Sequence, residues 1–277
     1  KNWQEFREGA SYHFGPAHNI VWADVHGDFG WQVTGLAPIR RWSGVLPVPG
    51  DGRFEWSGSM PIKELPYVVN PPAGFFASAN EENIPDGYPY IFSYTYSEPL
   101  RSARIHELLG DTWKYLTVAD MHEIQQDEFS IPARVLLPLL DELDSNEHGI
   151  SQALSILRNW DKKLDKDSTA AAIYIAWERR LRDHAARLFV PPDARARFTV
   201  PTVRVLDWFT APDGHFGNSP VAGRNALLIQ SIREALDDLQ ERLGTDMTQW
   251  KYGDPRYKHI SIRHAMSDVV NEELREK

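Results

Sequence analysis

The sequence predicts an α+β protein, with strands in the first part of the chain and helices in nearly all of the rest. Two observations carry this. Up to Glu98 the apolar residues fall in short runs of strand length, cut apart by Pro and Gly. Beyond Glu98 they recur every three or four residues, the spacing of a helix with one buried stripe. The change of period divides the chain into a sheet-containing part, 1–113, and a helical part, 114–277, with the boundary near Trp113.

Taken in order, Lys1 to Tyr12 carries Trp3, Phe6 and Ala10 at helical spacing and ends near Gly15-Pro16. Asn19 to Asp24 and Phe29 to Thr34 are β-rich runs joined by His26-Gly27-Asp28, which reads as a hairpin turn. Pro38 to Gly52 is a Pro- and Gly-rich loop. Arg53 to Ser57 reads as a third strand and Phe75 to Asn80 as a fourth. Pro99 to Leu109 is amphipathic, and Thr117 with Asp120 three residues later forms a capping pair for the next helix. Helical spacing continues at Ile131–Leu143, Ile150–Trp160, Thr169–Phe189, Val203–Phe209, Ala222–Leu243 and Ile262–Arg275. Pro191-Pro192 and Pro212-Asp213-Gly214 separate these runs. The charges of Asp165 to Ser168 and of Asp237-Asp238 read as solvated helix surface.

Composition narrows the function. The formal net charge is -9 without a Lys/Arg stripe, which argues against a nucleic-acid partner. No apolar run reaches membrane-spanning length, so no membrane partner is expected. The absence of cysteine removes disulfides, Cys-based zinc sites and thiol catalysis. His106-Glu107 and His122-Glu123 each begin like a zinc-binding helix but lack the second His, and Asp24 with Asp28 suits a turn better than calcium. No metal site is predicted. Gly-x-Ser-x-Gly and the phosphate-binding P-loop are both absent.

The stretch Val68 to Asn83 holds the chemical interest. Asn70-Pro71-Pro72 is an extended turn, Gly74 releases the chain into Phe75-Phe76-Ala77-Ser78-Ala79, and Asn80 closes the run. A carboxamide offers two N–H donors and no charge, which suits an oxygen that gains negative charge in a reaction. The commoner use of such an Asn is a strand cap or an Asx-turn. Phe75 and Phe76 alternate, so only one of them faces a cleft as a substrate contact.

Further pieces set this stretch in context: His18-Asn19-Ile20-Val21-Trp22-Ala23-Asp24-Val25-His26-Gly27-Asp28, Leu46-Pro47-Val48-Pro49-Gly50, Phe54-Glu55-Trp56-Ser57-Gly58 and Val69-Asn70-Pro71-Pro72. Trp250, Gly253, His259, His264 and Ser267 follow near the end. In this order they resemble the β-subunit of the penicillin acylase (penicillin amidase) family, whose members are N-terminal-nucleophile amide hydrolases processed from one precursor into two chains. The resemblance spans almost the whole sequence and is most specific from Asn19 to Arg104.

The resemblance implies a core built as an αββα sandwich, of which this chain is an internal part. It implies an oxyanion-hole role for Asn80 and a supporting role for Arg101, which is otherwise a surface Arg on the first turn of its helix. His259 and His264 match the family pattern and read as structural. The nucleophilic Ser and its own amine, which open the β-subunit, are expected outside this fragment, because Lys1 has neither hydroxyl nor thiol. The fragment alone is then inactive, and its partners are the rest of the precursor (the α-subunit and the remaining β-subunit segments) and a small-molecule amide.

The activity implied is hydrolysis of a linear amide, an N-acyl compound such as a penicillin or an acyl-homoserine lactone, in a periplasmic or secreted enzyme. No cofactor is expected. Calcium belongs to some relatives, but no ligands for it are identifiable around Tyr88 to Phe92. With Trp22, Trp31, Trp56 and Phe75 uncovered, the fragment is expected to self-associate or to retain complementary pieces. The alternative function is a non-catalytic relative or an aromatic-rich module that binds carbohydrate or another ligand. The residue that opens the β-subunit discriminates: a Ser favours the enzyme.

Overall fold

A computed structural model of the chain describes residues 2–90, 93–110 and 116–257. Trp113, His259, His264 and the helix expected at Ile262–Arg275 lie outside the described residues. The chain divides into two compact units, Lys1–Gln126 and Asp127–Lys277.

The first unit is built on a three-stranded antiparallel sheet in the order β1-β2-β3, from β1 (His18–Ala23), β2 (Phe29–Thr34) and β3 (Tyr67–Val69). Asp24 closes the β1–β2 hairpin: its Oδ1 accepts the amides of His26 and Asp28 at 2.8 and 3.1 Å. Gly27 takes φ +95°, which residues with a side chain rarely adopt. The register sets Val21 opposite Trp31 and Trp31 opposite Val68, so alternate residues face opposite sides.

One side of the sheet receives α1 (Trp3–Ala10), which is capped by Asn2 through the Glu5 amide. Trp3 and Phe6 pack on Trp22, with ring centroids 5.8 and 6.3 Å apart. Gly30 permits this approach, since a Cβ there would lie 2.6 Å from the Val68 carbonyl oxygen and 3.1 Å from the Trp3 ring. Gln32 is fully buried, and its Nε2 donates to the Ile62 and Leu65 carbonyls while Oε1 accepts from Arg7 Nε at 3.0 Å. The opposite side carries Trp31 and Val33, which form the unit's core with Ala37, Met60, Ile62 and Leu65. Phe76 stacks on Trp31 with centroids 4.6 Å apart.

Two predicted strands are corrected. Arg53 to Ser57 is not a strand: Gly52 and Gly58 take φ +87° and +130°, and the backbone pairing nearby runs from Ser57 to Met60 with Ala37 to Ile39 as a single isolated bridge at Pro38–Ser59. Phe75 to Asn80 is irregular backbone between Gly74 (φ +77°) and Asn80 (φ +70°), outside the ladder. The third strand lies instead at Tyr67–Val69, too short for alternation to reveal. The aromatic residues expected on an uncovered sheet are placed differently. Trp31 is buried, Trp22 sits under α1, and Trp56 is exposed but lies outside any strand.

Two helices complete this unit. They are α2 (Leu100–Gly110) and α3 (Val118–Gln125), the latter opened by the expected Thr117–Asp120 capping box.

The second unit is helical: α4 (Ile131–Leu136), α5 (His148–Arg158), α6 (Thr169–Phe189), α7 (Thr202–Thr210) and α8 (Pro220–Leu243). Its core is the packing of α6 on α8 through residues such as Ala171, Leu181, Leu228, Ile232 and Leu239, all fully buried. Polar links also cross that seam. Trp177 Nε1 donates to Ser231 Oγ at 3.0 Å, and His184 Nε2 lies 2.8 Å from Glu234 Oε2. Asp165 to Asp167 precede α6 rather than lying on it, and Ser168 is its N-cap. Asp238 is no isolated surface charge, since Arg180 and Arg242 pair with it at 3.5 and 3.0 Å.

Candidate active site

The segment Phe75 to Asn80 lies against the sheet side that carries Trp31. Phe76 anchors it by the stack on that ring, and Asn19 Nδ2 donates to Ser78 Oγ at 3.0 Å from β1. Phe75 and Phe76 diverge although the segment is not a strand. Phe76 enters the core, and Phe75 lies beside the His106 ring at 5.3 Å.

With no ladder to satisfy it, the backbone of Ala79 and Asn80 is held by side chains and by one loop amide. The Ala79 amide donates to Glu81 Oε2 at 2.5 Å, and the Asn80 carbonyl accepts the Ser97 amide at 2.7 Å. Arg101, on the first turn of α2, donates through Nη2 to the Ala79 carbonyl at 2.7 Å and to Asn80 Oδ1 at 2.9 Å. Asn80 takes φ +70°, a conformation Asn tolerates better than other residues with a side chain.

The Arg101 contact fixes the carboxamide's orientation. A guanidinium only donates, so the atom it binds is the oxygen and the NH2 group points away from it. Asn80 is exposed, and among the described residues its Nδ2 has no hydrogen-bond partner. Arg101 likewise has no carboxylate within ion-pair distance among the described residues, so both its bonds to this loop go to neutral oxygens. The pair can therefore present two N–H donors, backed by an unneutralised cation, to an oxygen acquiring negative charge.

Both residues read from the sequence thus meet in space. Arg104, three positions on, bonds Glu107 at 3.2 Å instead. Sequence reasoning missed Glu81, Ser97 and Asn19, which hold the loop. Only Glu81 had a local signal, as an acidic residue beside the turn. Among the described residues no three His, Asp or Glu side chains gather as metal ligands do. Asp24 and Asp28 are engaged in the hairpin and with Asn70, whose Nδ2 donates to Asp28 at 2.8 Å.

The family model described as penicillin amidase matches residues 1–275, and the chain belongs to that family. An acyl-homoserine lactone acylase of Pseudomonas syringae pv. syringae is 28% identical over 266 residues, covering 85% of this chain and 32% of that protein. Penicillin acylase 2 proenzyme of Pseudomonas sp. (strain SE83) is 34% identical over 167 residues, covering 59% of this chain and 21% of its own length. A thermostable penicillin G acylase from Alcaligenes faecalis shares the fold with a TM-score of 0.66 at 22% identity, over 90% of this chain and 51% of that one. The chain thus spans about a third of the length of the acyl-homoserine lactone acylase it matches.

Proposed function

We propose that this chain carries the oxyanion-stabilising part of an N-terminal-nucleophile enzyme that hydrolyses linear N-acyl amides. The observation that carries the reading is the Arg101–Asn80 contact, which leaves the carboxamide NH2 exposed and oriented. Relatives named as penicillin and acyl-homoserine lactone acylases support amide hydrolysis as the reaction class.

In the proposed reaction a Ser outside residues 1–277 attacks the amide carbonyl carbon, and its own α-amine takes the hydroxyl proton. The carbonyl oxygen becomes an oxyanion and accepts from Asn80 Nδ2, while Arg101 holds Oδ1 and adds positive charge behind it. The C–N bond then breaks, and the leaving amine takes the proton from the α-ammonium. Water hydrolyses the resulting ester by the same route in reverse. Phe75, the member of its pair outside the core, lines the acyl side, in keeping with a hydrophobic or aromatic acyl group.

The sheet described above forms one layer of an αββα sandwich completed by the α-subunit and the remaining β-subunit segments. The complete enzyme is periplasmic or secreted and is made as a zymogen. Among the described residues no helix is long and apolar enough to cross a membrane.

The test is to express the complete precursor, treat it with phenylmethanesulfonyl fluoride and map the label by peptide mass spectrometry. The label is expected on a Ser that opens a processed chain, with loss of amidase activity. A label on a Ser within residues 1–277, or amide hydrolysis by residues 1–277 alone, would overturn the proposal.

A further inference from the structure

We infer that Glu81 is a positioning residue for the Asn80 carboxamide, a role that rests on the reading of Asn80 as oxyanion donor. Ala79 is buried at 7% exposure and sits outside any β-ladder. Both of its backbone polar groups are nevertheless satisfied, each by a charged side chain. Glu81 Oε2 accepts the amide at 2.5 Å, and Arg101 Nη2 donates to the carbonyl at 2.7 Å. The peptide joining Ala79 to Asn80 is bound through its carbonyl by Arg101, and the peptide before it through its N–H by Glu81. On the far side, the Asn80 carbonyl accepts the Ser97 amide at 2.7 Å.

Each tie has a distinct consequence. Ser97 fixes the exit of the turn, and Arg101 fixes the carboxamide oxygen. Neither of them reaches the peptide between Ser78 and Ala79, which has no strand partner, although Phe76 and Ser78 before it are tied through their side chains. Glu81 supplies the missing constraint with a charged acceptor, a stronger bond than a neutral carbonyl would give. It does so from two residues along, closing a small ring around the left-handed Asn80 (φ +70°). Without that acceptor the buried Ala79 amide would turn toward water and carry the carboxamide with it. Donors aimed at an oxyanion act only when held in place beforehand, and a displacement of about 1 Å in such a site costs on the order of 10²-fold in rate.

The experiment uses the complete, processed enzyme with four variants: Glu81→Ala, Glu81→Gln, Asn80→Gly and the double Asn80→Gly/Glu81→Ala. Glu81→Ala is expected to lower kcat by about 10-fold or more, with KM within roughly twofold. Glu81→Gln keeps an oxygen acceptor and is expected to recover most of that loss. On the Asn80→Gly background, Glu81→Ala is expected to cost nothing further, because the group it positions is gone.

Additive losses, or wild-type kcat in Glu81→Ala beside a damaged Asn80→Gly, would overturn the positioning role and leave the Asn80 reading standing. Wild-type kcat in Asn80→Gly would overturn the Asn80 reading itself, and the positioning role with it. A readout independent of activity covers the case of a misfolded Glu81→Ala. In 15N-labelled protein the Ala79 amide is expected to be protected from hydrogen exchange in the wild type and in Glu81→Gln, which both keep an oxygen acceptor. An unprotected Ala79 amide in the wild type would overturn the contact directly.

Discussion

Replacing Asn80 separates the chemistry of its side chain from the strain of its backbone, because the two respond to different substitutions. At φ +70° an Ala side chain crowds the following carbonyl, at a cost of about 1–2 kcal/mol, whereas Gly adopts the conformation freely. Both substitutions delete the carboxamide. Asn80→Gly is therefore expected to keep near-wild-type stability and Asn80→Ala to lose about 1 kcal/mol or more.

In the complete, processed enzyme both should lose kcat by a similar factor, on the order of 10²–10³, equivalent to about 2.7–4 kcal/mol of transition-state stabilisation. A third variant, Asn80→Asp, keeps an oxygen for Arg101 but has no N–H to donate, and its kcat should fall at least as far. The assays are steady-state hydrolysis of an N-acyl amide and urea denaturation of the same preparations. If Asn80→Gly turned over within about threefold of wild type, the loss in the Ala variant would be strain alone, and the carboxamide would have no part in the reaction.

Other outcomes follow from single contacts. Arg101→Ala should impair turnover far more than Arg104→Ala, since only Arg101 reaches Asn80 while Arg104 bonds Glu107 on its own helix; equal effects would remove Arg101 from the site. Ser231→Ala strands the buried Trp177 N–H and should cost about 1–3 kcal/mol in urea melts, so an unchanged midpoint would mean that another acceptor takes over. Burial pushes the Glu234 carboxyl up, but the hydrogen bonds from His184 and Gln230 outweigh it and hold the group below its ordinary value of 4.5. Stability from this pair is thus fully present above pH 4.5 and is lost as the pH falls through the lower folded value. His184→Gln should flatten that acid dependence, and an unchanged slope between wild type and variant would place the loss elsewhere.

The sequence by itself determined the elements that depend on local spacing and capping. The period of apolar residues in Thr169–Phe189 gave that helix to the residue, and the β-rich run Phe29–Thr34 gave β2 likewise. Thr117 and Asp120 form their capping box because both partners lie within one turn. Asn80 and Arg101 were also legible one by one, as residues whose chemistry and resemblance to a family suit a site.

Only the tertiary structure decided what joins distant residues. Tyr67–Val69 is a strand because Trp31 and Gly30 pair with it, and three residues carry no period of their own. Phe75 to Asn80 has the composition of a strand, yet Gly74 and Asn80 turn the backbone out of the ladder, so charged side chains bind its polar groups instead. Arg101 and Asn80 are 21 residues apart, and their hydrogen bond forms because α2 brings the guanidinium against the turn. That the NH2 of Asn80 points away from Arg101 follows from that contact, since a cation that only donates must bind the oxygen.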